Sequence, residues 1–481
     1  MLKLANYIDG QLVPAASGGW LDDFEPATGQ VYARIPDSHK TDVDSAVAAA
    51  KRAFPAWSTT AAGIRSQWLL KLADLMERDL EKLVRAESID SGKPVALARR
   101  LDIPRAVSNL RFFAAAATQF ASESHAMESG AINYTLRSPL GVVGCISPWN
   151  LPLYLFTWKI APALAAGNCV VAKPSEITPM TAYLFSELCA EAGLPAGVFN
   201  VVHGLGPKAG TVLVEHPDVK AISFTGGTKT GADIASRAAP KFKKLSLELG
   251  GKNPTIVFGD CDFDTTVAES VRAAFSNQGE ICLCGSRILI ERSLYTRFRD
   301  AFVAQVKALP QGDPAEQSTE QGALVSEAHL QKVLGYIDLA QKEGGKILCG
   351  GRRTQLAGRC KDGWFIEPTV IENLPPECRT NQEEIFGPVV TLIPFDDEEQ
   401  AIDYANGTAY GLAASLWSAD VSRCHRIAAR LEAGLIWINC WMLRDLRVPM
   451  GGVKQSGNGR EGGWEAMRFF TEPRNVCIKY E

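Results

Sequence analysis

Apolar positions change their spacing near residue 140, and the change divides the chain. Upstream they recur at helical intervals. In SQWLLKLADLMERDLEKLV, Leu69, Leu72, Leu75, Met76, Leu80 and Leu83 fall on one stripe, which predicts a core-facing helix. TDVDSAVAAAKRAF opens with Thr41 and Asp44 at capping-box spacing and predicts a helix start there. Downstream come short apolar runs: GVVGCIS (141–147), CVVAKPS (169–175), VFNVVHG (198–204), AISFTGG (221–227) and LSLELGG (245–251). Helix-compatible stretches such as TPMTAYLFSELCAEAG and KTGADIASRAA separate most of them. This alternation predicts βαβ units, hence a parallel sheet with helices on both faces. A second alternation runs from about 252 to 450, with helices expected over 264–275, 293–307 and 327–343 and strands in VVTLIPF and GLIWIN. The segment FFTEPRNVCIKYE ends in an alternating run, a strand of the kind that often pairs with a neighbouring subunit.

Composition narrows the class. At 481 residues the chain is too long for one hydrophobic core, and two or three domains are expected. Its 46% hydrophobic and 22% charged content is that of an ordinary globular protein. A net charge of -4 offers no footprint for nucleic acid or for an anionic membrane surface. No apolar run reaches a membrane span, and Asn6 and Asp9 interrupt any signal-like core in MLKLANYIDG. A cytoplasmic protein is expected, or an organellar one after loss of a presequence. Twelve cysteines without a secretory signal read as free thiols, and six scattered histidines with no CxxC pair leave a metal site unsupported.

Parallel sheets bind ligands beyond the carboxyl ends of their strands, so residues just after the apolar runs carry the most weight. In SNQGEICLCG, Cys282 and Cys284 are open to several readings: half a metal site, a disulfide, a redox pair, or one nucleophile and a bystander. Glycine spacing GxGxxG is absent; Gly204, Gly206 and Gly210 have one residue too many in the second gap. Lys173 and Glu176 in AKPSEITP stand where an acid can take both hydroxyls of an adenosine ribose, or they form a solvated pair. Gly226, Gly227 and Gly231 in FTGGTKTG offer bare backbone N–H groups to a pyrophosphate, or merely a turn. Glu248 in LELGGK is a general base facing a cleft or the partner of Lys252. Asn150 in SPWNLPL is an oxyanion donor or a helix N-cap.

In combination these motifs become specific. PWN, KPSE, FTGG, LELGGK, NQGEIC and EEIFGP (383–388), in that order, resemble the aldehyde dehydrogenase superfamily, and the resemblance runs from YIDGQLV to GGVKQSGNGREGG. It implies an α/β fold of two Rossmann-like domains with parallel sheets and a small oligomerisation element. Residues 1–120 and 140–250 would bind NAD, 251–450 would be catalytic, and 121–139 with 465–481 would assemble a homodimer or homotetramer. By the same resemblance Cys282 is the nucleophile, Glu248 the general base, and Asn150 with the Cys282 backbone N–H the oxyanion hole. Lys173 and Glu176 would hold the ribose, and Glu384 and Phe386 the nicotinamide end. Trp149, Gly226, Gly227, Gly231 and Gly250 complete the cofactor set. The implied chemistry is oxidation of an aldehyde to an acid through a thiohemiacetal and a thioester, with hydride passing to the nicotinamide. Gly227 departs from the serine common in its loop, and Asn458 and Met450 depart in GNGRE and PMGG.

NQGEICLCGSR, NCWMLRDLR and LDIPRAV are similar to the branch that oxidises 2-aminomuconate and 2-hydroxymuconate semialdehydes. Those substrates carry a carboxylate remote from the aldehyde, and Arg105 and Arg444 would clamp it. The alternatives are local ion pairs, Arg105 with Asp102 and Arg444 with Asp445. Three rivals remain: a CoA-acylating enzyme, which has no need of Glu248, a non-catalytic protein of the same fold, and a dehydrogenase of neutral or betaine-like aldehydes.

Overall fold

The computed structural model describes residues 1–480. Glu481, at the end of the expected oligomerisation segment 465–481, lies outside the described residues. Five strands, β1 (Val142–Ile146), β2 (Cys169–Lys173), β3 (Phe199–Val201), β4 (Val219–Thr225) and β5 (Lys244–Glu248), pair in parallel in the spatial order β5-β4-β1-β2-β3. β1 and β2 are buried along their whole length, the condition of a sheet covered on both faces. Short antiparallel strands, Asn6–Ile8 next to β3 and Gly457–Asn458 next to β5, extend the two edges.

The crossover helices α1 (Pro152–Ala165), α2 (Met180–Ala192) and α3 (Thr228–Ala238) connect these strands. All fourteen residues of α1 are buried, as its apolar circumference requires. Pro152 sits in its first turn, where no N–H partner is lost. Winding reverses at β1, which leads by way of α1 toward β2 on one side and has β4 on the other. A crevice therefore opens at the carboxyl ends of β1 and β4.

A second sheet holds β6 (Asn253–Val257), β7 (Gly285–Glu291), β8 (Thr369–Glu372), β9 (Val389–Phe395), β10 (Ala413–Trp417) and β11 (Leu435–Ile438). These run parallel in the order β8-β9-β7-β6-β10-β11, with antiparallel Lys346–Cys349 closing the β8 edge. The chain passes from β5 to β6 through only Leu249–Lys252. A third sheet is separate and antiparallel: Ser124–Met127, Ala131–Pro139 and Thr471–Lys479. Among the described residues no helix is long and apolar enough to cross a membrane.

Two local expectations need correction. The leucine stripe is cut in two, Ala62–Arg78 and Leu80–Ser91, because Asp79 leaves helical geometry at φ -97° and ψ 21°. Leu69, Leu72, Met76 and Leu83 are buried as the stripe requires, while Leu75 and Leu80 are only half-buried. The preceding helix begins at Lys40, not at Thr41. Its N-cap is His39, and Asp42 at the third helical position closes the capping box, its carboxylate accepting the N–H of His39 at 2.9 Å and of Ala16 at 2.7 Å, while Asp44 pairs with Lys40.

Ile222 of β4 is fully buried at the centre of the first sheet. Ile222→Ala is expected to cost about 2–5 kcal/mol through lost burial and a cavity, whereas exposed Val421→Ala should stay within about 0.5 kcal/mol. Urea unfolding checks both; equal midpoints for the two variants would contradict this core.

Candidate active site

Strand register brings the chemistry to one rim. Ile146 of β1 pairs with Lys173 of β2 and with Phe224 of β4, and Thr225 of β4 pairs with Glu248 of β5. A cavity of about 230 Å³ opens there, lined by Pro148, Trp149, Asn150, Thr225, Gly226, Gly227, Leu249, Gly250, Cys282, His329, Lys332, Glu384 and Phe386. Eight residues singled out in the sequence thus share one wall. Gly231 does not: it lies a turn into α3, where a Cβ would stand 2.4 Å from Leu249 Cδ2, so its glycine serves helix packing.

The cavity fits a dinucleotide. Gly227 caps α3, which turns the orphan N–H groups of its first turn toward the opening. Thr225 and Thr228 add buried hydroxyls that no group of the protein satisfies. A Cβ on Gly250 would stand 2.3 Å from Glu384 Oε2, so only glycine lets that carboxylate approach. A Cβ on Gly227 meets nothing within 4 Å, so the missing serine leaves open space and not a repacked loop.

At the rim beside β2, Lys173 Nζ donates to Glu176 Oε2 at 3.0 Å and to the Pro174 carbonyl at 3.0 Å. Burial works to raise the Glu176 carboxyl, but the Lys173 ammonium and backbone N–H groups outweigh it and hold it below its ordinary value. The pair is therefore built in, not solvated. At the opposite end Glu384 Oε1 accepts the Gly251 N–H at 2.9 Å. Phe386 adopts left-handed φ 60° and sets its ring edge-on to Trp149 at 5.3 Å. His329 Nε2 stands 2.6 Å from the Phe386 carbonyl, which can only accept, so the proton sits on Nε2. Burial and Lys332 push this imidazole down to about 4, so it is neutral near pH 7.

The cysteines separate clearly. Cys282 is half-buried on the cavity wall, and Cys284 is buried behind it with its sulfur toward the Ser276 carbonyl. Asn277 and Gln278 take left-handed φ of 53° and 55°, coiling the segment that precedes Cys282. Asn253 Nδ2 donates to the carbonyls of Cys282 at 2.7 Å and of Cys284 at 2.9 Å, pinning the loop from β6. Burial pushes the Cys282 thiol up to about 12, with the Glu248 and Glu384 charges adding and Arg444 opposing. All twelve cysteines are unpaired, and among the described residues no three metal-ligating side chains gather.

Asn150 donates from Nδ2 to the Glu280 carbonyl at 2.9 Å; the N-cap of α1 is Leu151. Glu248 is buried, with Oε1 unpartnered, and has no bond to Lys252. Burial and neighbouring Glu461 hold its carboxyl well above the carboxylate range, against the cations Lys159, Arg444 and Arg460. Behind it Lys159 Nζ, itself fully buried, donates to Glu461 Oε1 at 2.7 Å and to Ser223 Oγ at 3.1 Å. Nothing local marked Lys159 or His329 in the sequence.

Neither arginine meets its neighbouring acid. Asp102 is taken by Lys93 at 3.1 Å and Asp445 by Arg447 at 2.6 Å. Instead the Arg105 guanidinium lies 5.4 Å over the Tyr154 ring and 5.7 Å over Trp158. Arg444 lies 5.9 Å over the same Trp158 and donates to Tyr154 Oη at 3.4 Å. Arg105 Nε and Nη2 are buried with no partner. The aromatic pair four residues apart on α1 was the missed signal.

A family model described as the aldehyde dehydrogenase family matches residues 13–476. The chain is 52% identical to the 2-aminomuconic semialdehyde dehydrogenase of Danio rerio, covering 100% of this chain and 99% of that one. It is 45% identical to the 2-hydroxymuconic semialdehyde dehydrogenase of Pseudomonas sp. (strain CF600), with 100% of each covered. Among solved structures it resembles a putative aldehyde dehydrogenase from Burkholderia cenocepacia, at TM-score 0.98 and 43% identity, with 100% of this chain and 98% of that one covered. It also resembles a point mutant of betaine aldehyde dehydrogenase from Staphylococcus aureus in complex with NAD+, at TM-score 0.96 and 37% identity, with 100% and 98% covered.

A thiol held this high reacts as a small thiolate fraction. Labelling of Cys282 by iodoacetamide, followed by peptide mass spectrometry, should accelerate about tenfold per pH unit from 7 to 10 without a plateau. Glu248→Gln removes a charge that raises the thiol and should speed labelling at fixed pH. A plateau below pH 8 would contradict the assigned environment.

Proposed function

The chain belongs to the aldehyde dehydrogenase family, an enzyme family that oxidises aldehydes with a nicotinamide dinucleotide, and from that premise we propose that it is an NAD-dependent dehydrogenase of a carboxylate-bearing semialdehyde such as 2-aminomuconate 6-semialdehyde. The bound dinucleotide supplies the hydride acceptor, chemistry no side chain provides. Cys282 is the nucleophile: its thiolate attacks the aldehyde carbon from the cavity wall. Asn150 and the Cys282 backbone N–H stabilise the oxyanion of the thiohemiacetal. Glu248 then takes a proton from water, which hydrolyses the thioester and releases the acid. A carboxyl raised by burial suits that role, since a base poised nearer neutrality accepts the proton more readily.

Glu176 favours NAD: it offers its carboxylate to both ribose hydroxyls and would repel a 2′-phosphate. Glu384 and Phe386 hold the nicotinamide end, with Trp149, Gly226, Gly227 and Gly250 along the channel. Assembly as a homodimer or homotetramer is supported by the antiparallel third sheet, where exposed Ile132, Leu136 and Ile478 share one face. Twelve unpaired cysteines suit a reducing cytoplasm.

The observation that carries the substrate reading is the pair of guanidinium groups, Arg105 and Arg444, neither of which forms an ion pair with a carboxylate of the chain. Arg444 lies close enough to bear on both Cys282 and Glu248. A substrate acid would complete the ion pairing from outside, by charge-assisted bonds.

Initial rates of NADH formation test this directly. Wild type should prefer a carboxylate-bearing semialdehyde to a neutral aldehyde. Arg444→Ala should lower kcat/KM about 10- to 100-fold on the former, the loss of one charged hydrogen bond of about 1.5–3 kcal/mol, and barely change the latter; equal losses on both would sink the clamp. Cys282→Ala should abolish NADH formation while Cys284→Ala largely spares it, and the reverse result would exchange their roles.

A further inference from the structure

An amide that stabilises a developing oxyanion must be aimed before the charge appears, since reorientation during the reaction forfeits the gain. The backbone of Asn150 is held for that purpose by a group some sixty residues upstream. Lys93 is fully buried. Its Nζ stands 3.1 Å from Asp102 Oδ1 and 3.9 Å from Glu87 Oε1, and donates to the Asn150 backbone carbonyl at 3.0 Å. Asn277 Nδ2 donates to the same carbonyl at 3.1 Å and to the Glu280 carbonyl at 3.2 Å. Glu280 is also the acceptor of the Asn150 side chain. Both lone pairs of the Asn150 carbonyl are thus occupied, one by a cation.

The anchors of Lys93 are themselves fixed. Glu87 accepts the Thr181 hydroxyl at 2.7 Å and the Leu153 N–H at 3.3 Å, so it grips α2 and the start of α1, which follows directly on the PWN loop. Asp102 has its ion pair with Lys93 and no hydrogen-bonding partner, and it directly precedes the Arg105 helix. A buried charged cluster is an expensive way to fix a loop, and hydrophobic packing usually serves as well for stability alone. What an apolar residue cannot do is donate to a backbone carbonyl.

We propose that Lys93, held between Asp102 and Glu87, is the positioning residue that fixes the Asn150 backbone and so aims its side-chain amide at the substrate oxyanion. The inference rests on the oxyanion role given to Asn150 above. It makes Lys93 part of the reaction without contact to substrate.

A double-mutant cycle tests it on the full-length protein, with kcat, aldehyde KM and NADH affinity by fluorescence measured for Lys93→Met, Asn150→Ala and the pair. Asn150→Ala should lower kcat about 100- to 1,000-fold, as loss of one oxyanion donor does. Lys93→Met should lower kcat at least about tenfold with KM and NADH affinity little changed, and Lys93→Arg, which keeps the donor, should restore part of it. The double variant should be no slower than Asn150→Ala alone, because Lys93 has nothing left to aim. Unchanged kcat in Lys93→Met, or losses that multiply in the double variant, would overturn the proposal. Full kcat in Asn150→Ala would instead remove the oxyanion role itself. Should Lys93→Met fail to fold with Asp102 left uncompensated, Lys93→Met with Asp102→Asn removes the stranded charge. Glu87, pushed up to about 8 chiefly by burial, keeps its proton at neutral pH. That pair is read in the same cycle by the same criterion.

Discussion

Everything chemical in this protein depends on how the chain crosses between its two parallel sheets. Only Leu249–Lys252 separate Glu248, the end of β5, from Asn253, the start of β6. Four residues leave no slack, so the sheets cannot shift without carrying the site with them. Within the crossing, Gly250 admits the Glu384 carboxylate and Gly251 donates its N–H to it, while Asn253 holds the Cys282 loop by two carbonyls. A Cβ on Gly251 would press within 3.1 Å of the Cys282 carbonyl and 2.8 Å of Asn253 Oδ1. Glu248, Cys282 and Glu384 are thereby tied to one short stretch of backbone, and their relative placement comes from chain connectivity as much as from side-chain packing.

The electrostatics follow from that enclosure. Burial raises Cys282, Glu248 and Glu384 together, because three acidic groups share a poorly hydrated space. Cations oppose this at each of them: Arg444 bears on both Cys282 and Glu248, Lys332 and Lys252 bear on Glu384, and Lys159 is committed to Glu461. The resting site therefore sets acidic groups raised by burial near arginines that form no ion pair.

Much of this was legible in short stretches. Apolar runs of five to seven residues located β1, β2, β4 and β5, because a sheet buried on both faces leaves no polar alternation to confuse. Motifs on the rim were readable because each contributes a residue type at a strand end, and the register then aligns those ends. What sequence reading missed are bonds whose partners lie far apart. Lys93 with Asn150 and His329 with Phe386 each span 57 positions. The local ion pairs weighed as alternatives for Arg105 and Arg444 do not form, since Asp102 pairs with Lys93 and Asp445 with Arg447. The capping box of the Lys40–Thr59 helix likewise starts earlier than the Thr41 spacing suggests, at His39, and its Asp42 also holds the N–H of distant Ala16.

The first sheet also sets an order of events during synthesis. Its parallel strands end at residue 248, yet three of its requirements are met from beyond residue 455. Gly457–Asn458 covers the open edge of β5, Glu461 supplies the counter-charge of buried Lys159, and the Phe470 carbonyl satisfies Asn168. The two side-chain contacts close loops of 302 residues each. A nascent chain that has released β1 to β5 from the ribosome holds a sheet with one bare edge and a lysine without its carboxylate partner. It must keep that half-built layer from associating with its neighbours while the whole second sheet is made. Final locking of the first sheet is thus a late, long-range step, slow by its topology, and the β5 edge stays uncovered until residues 457–458 are made.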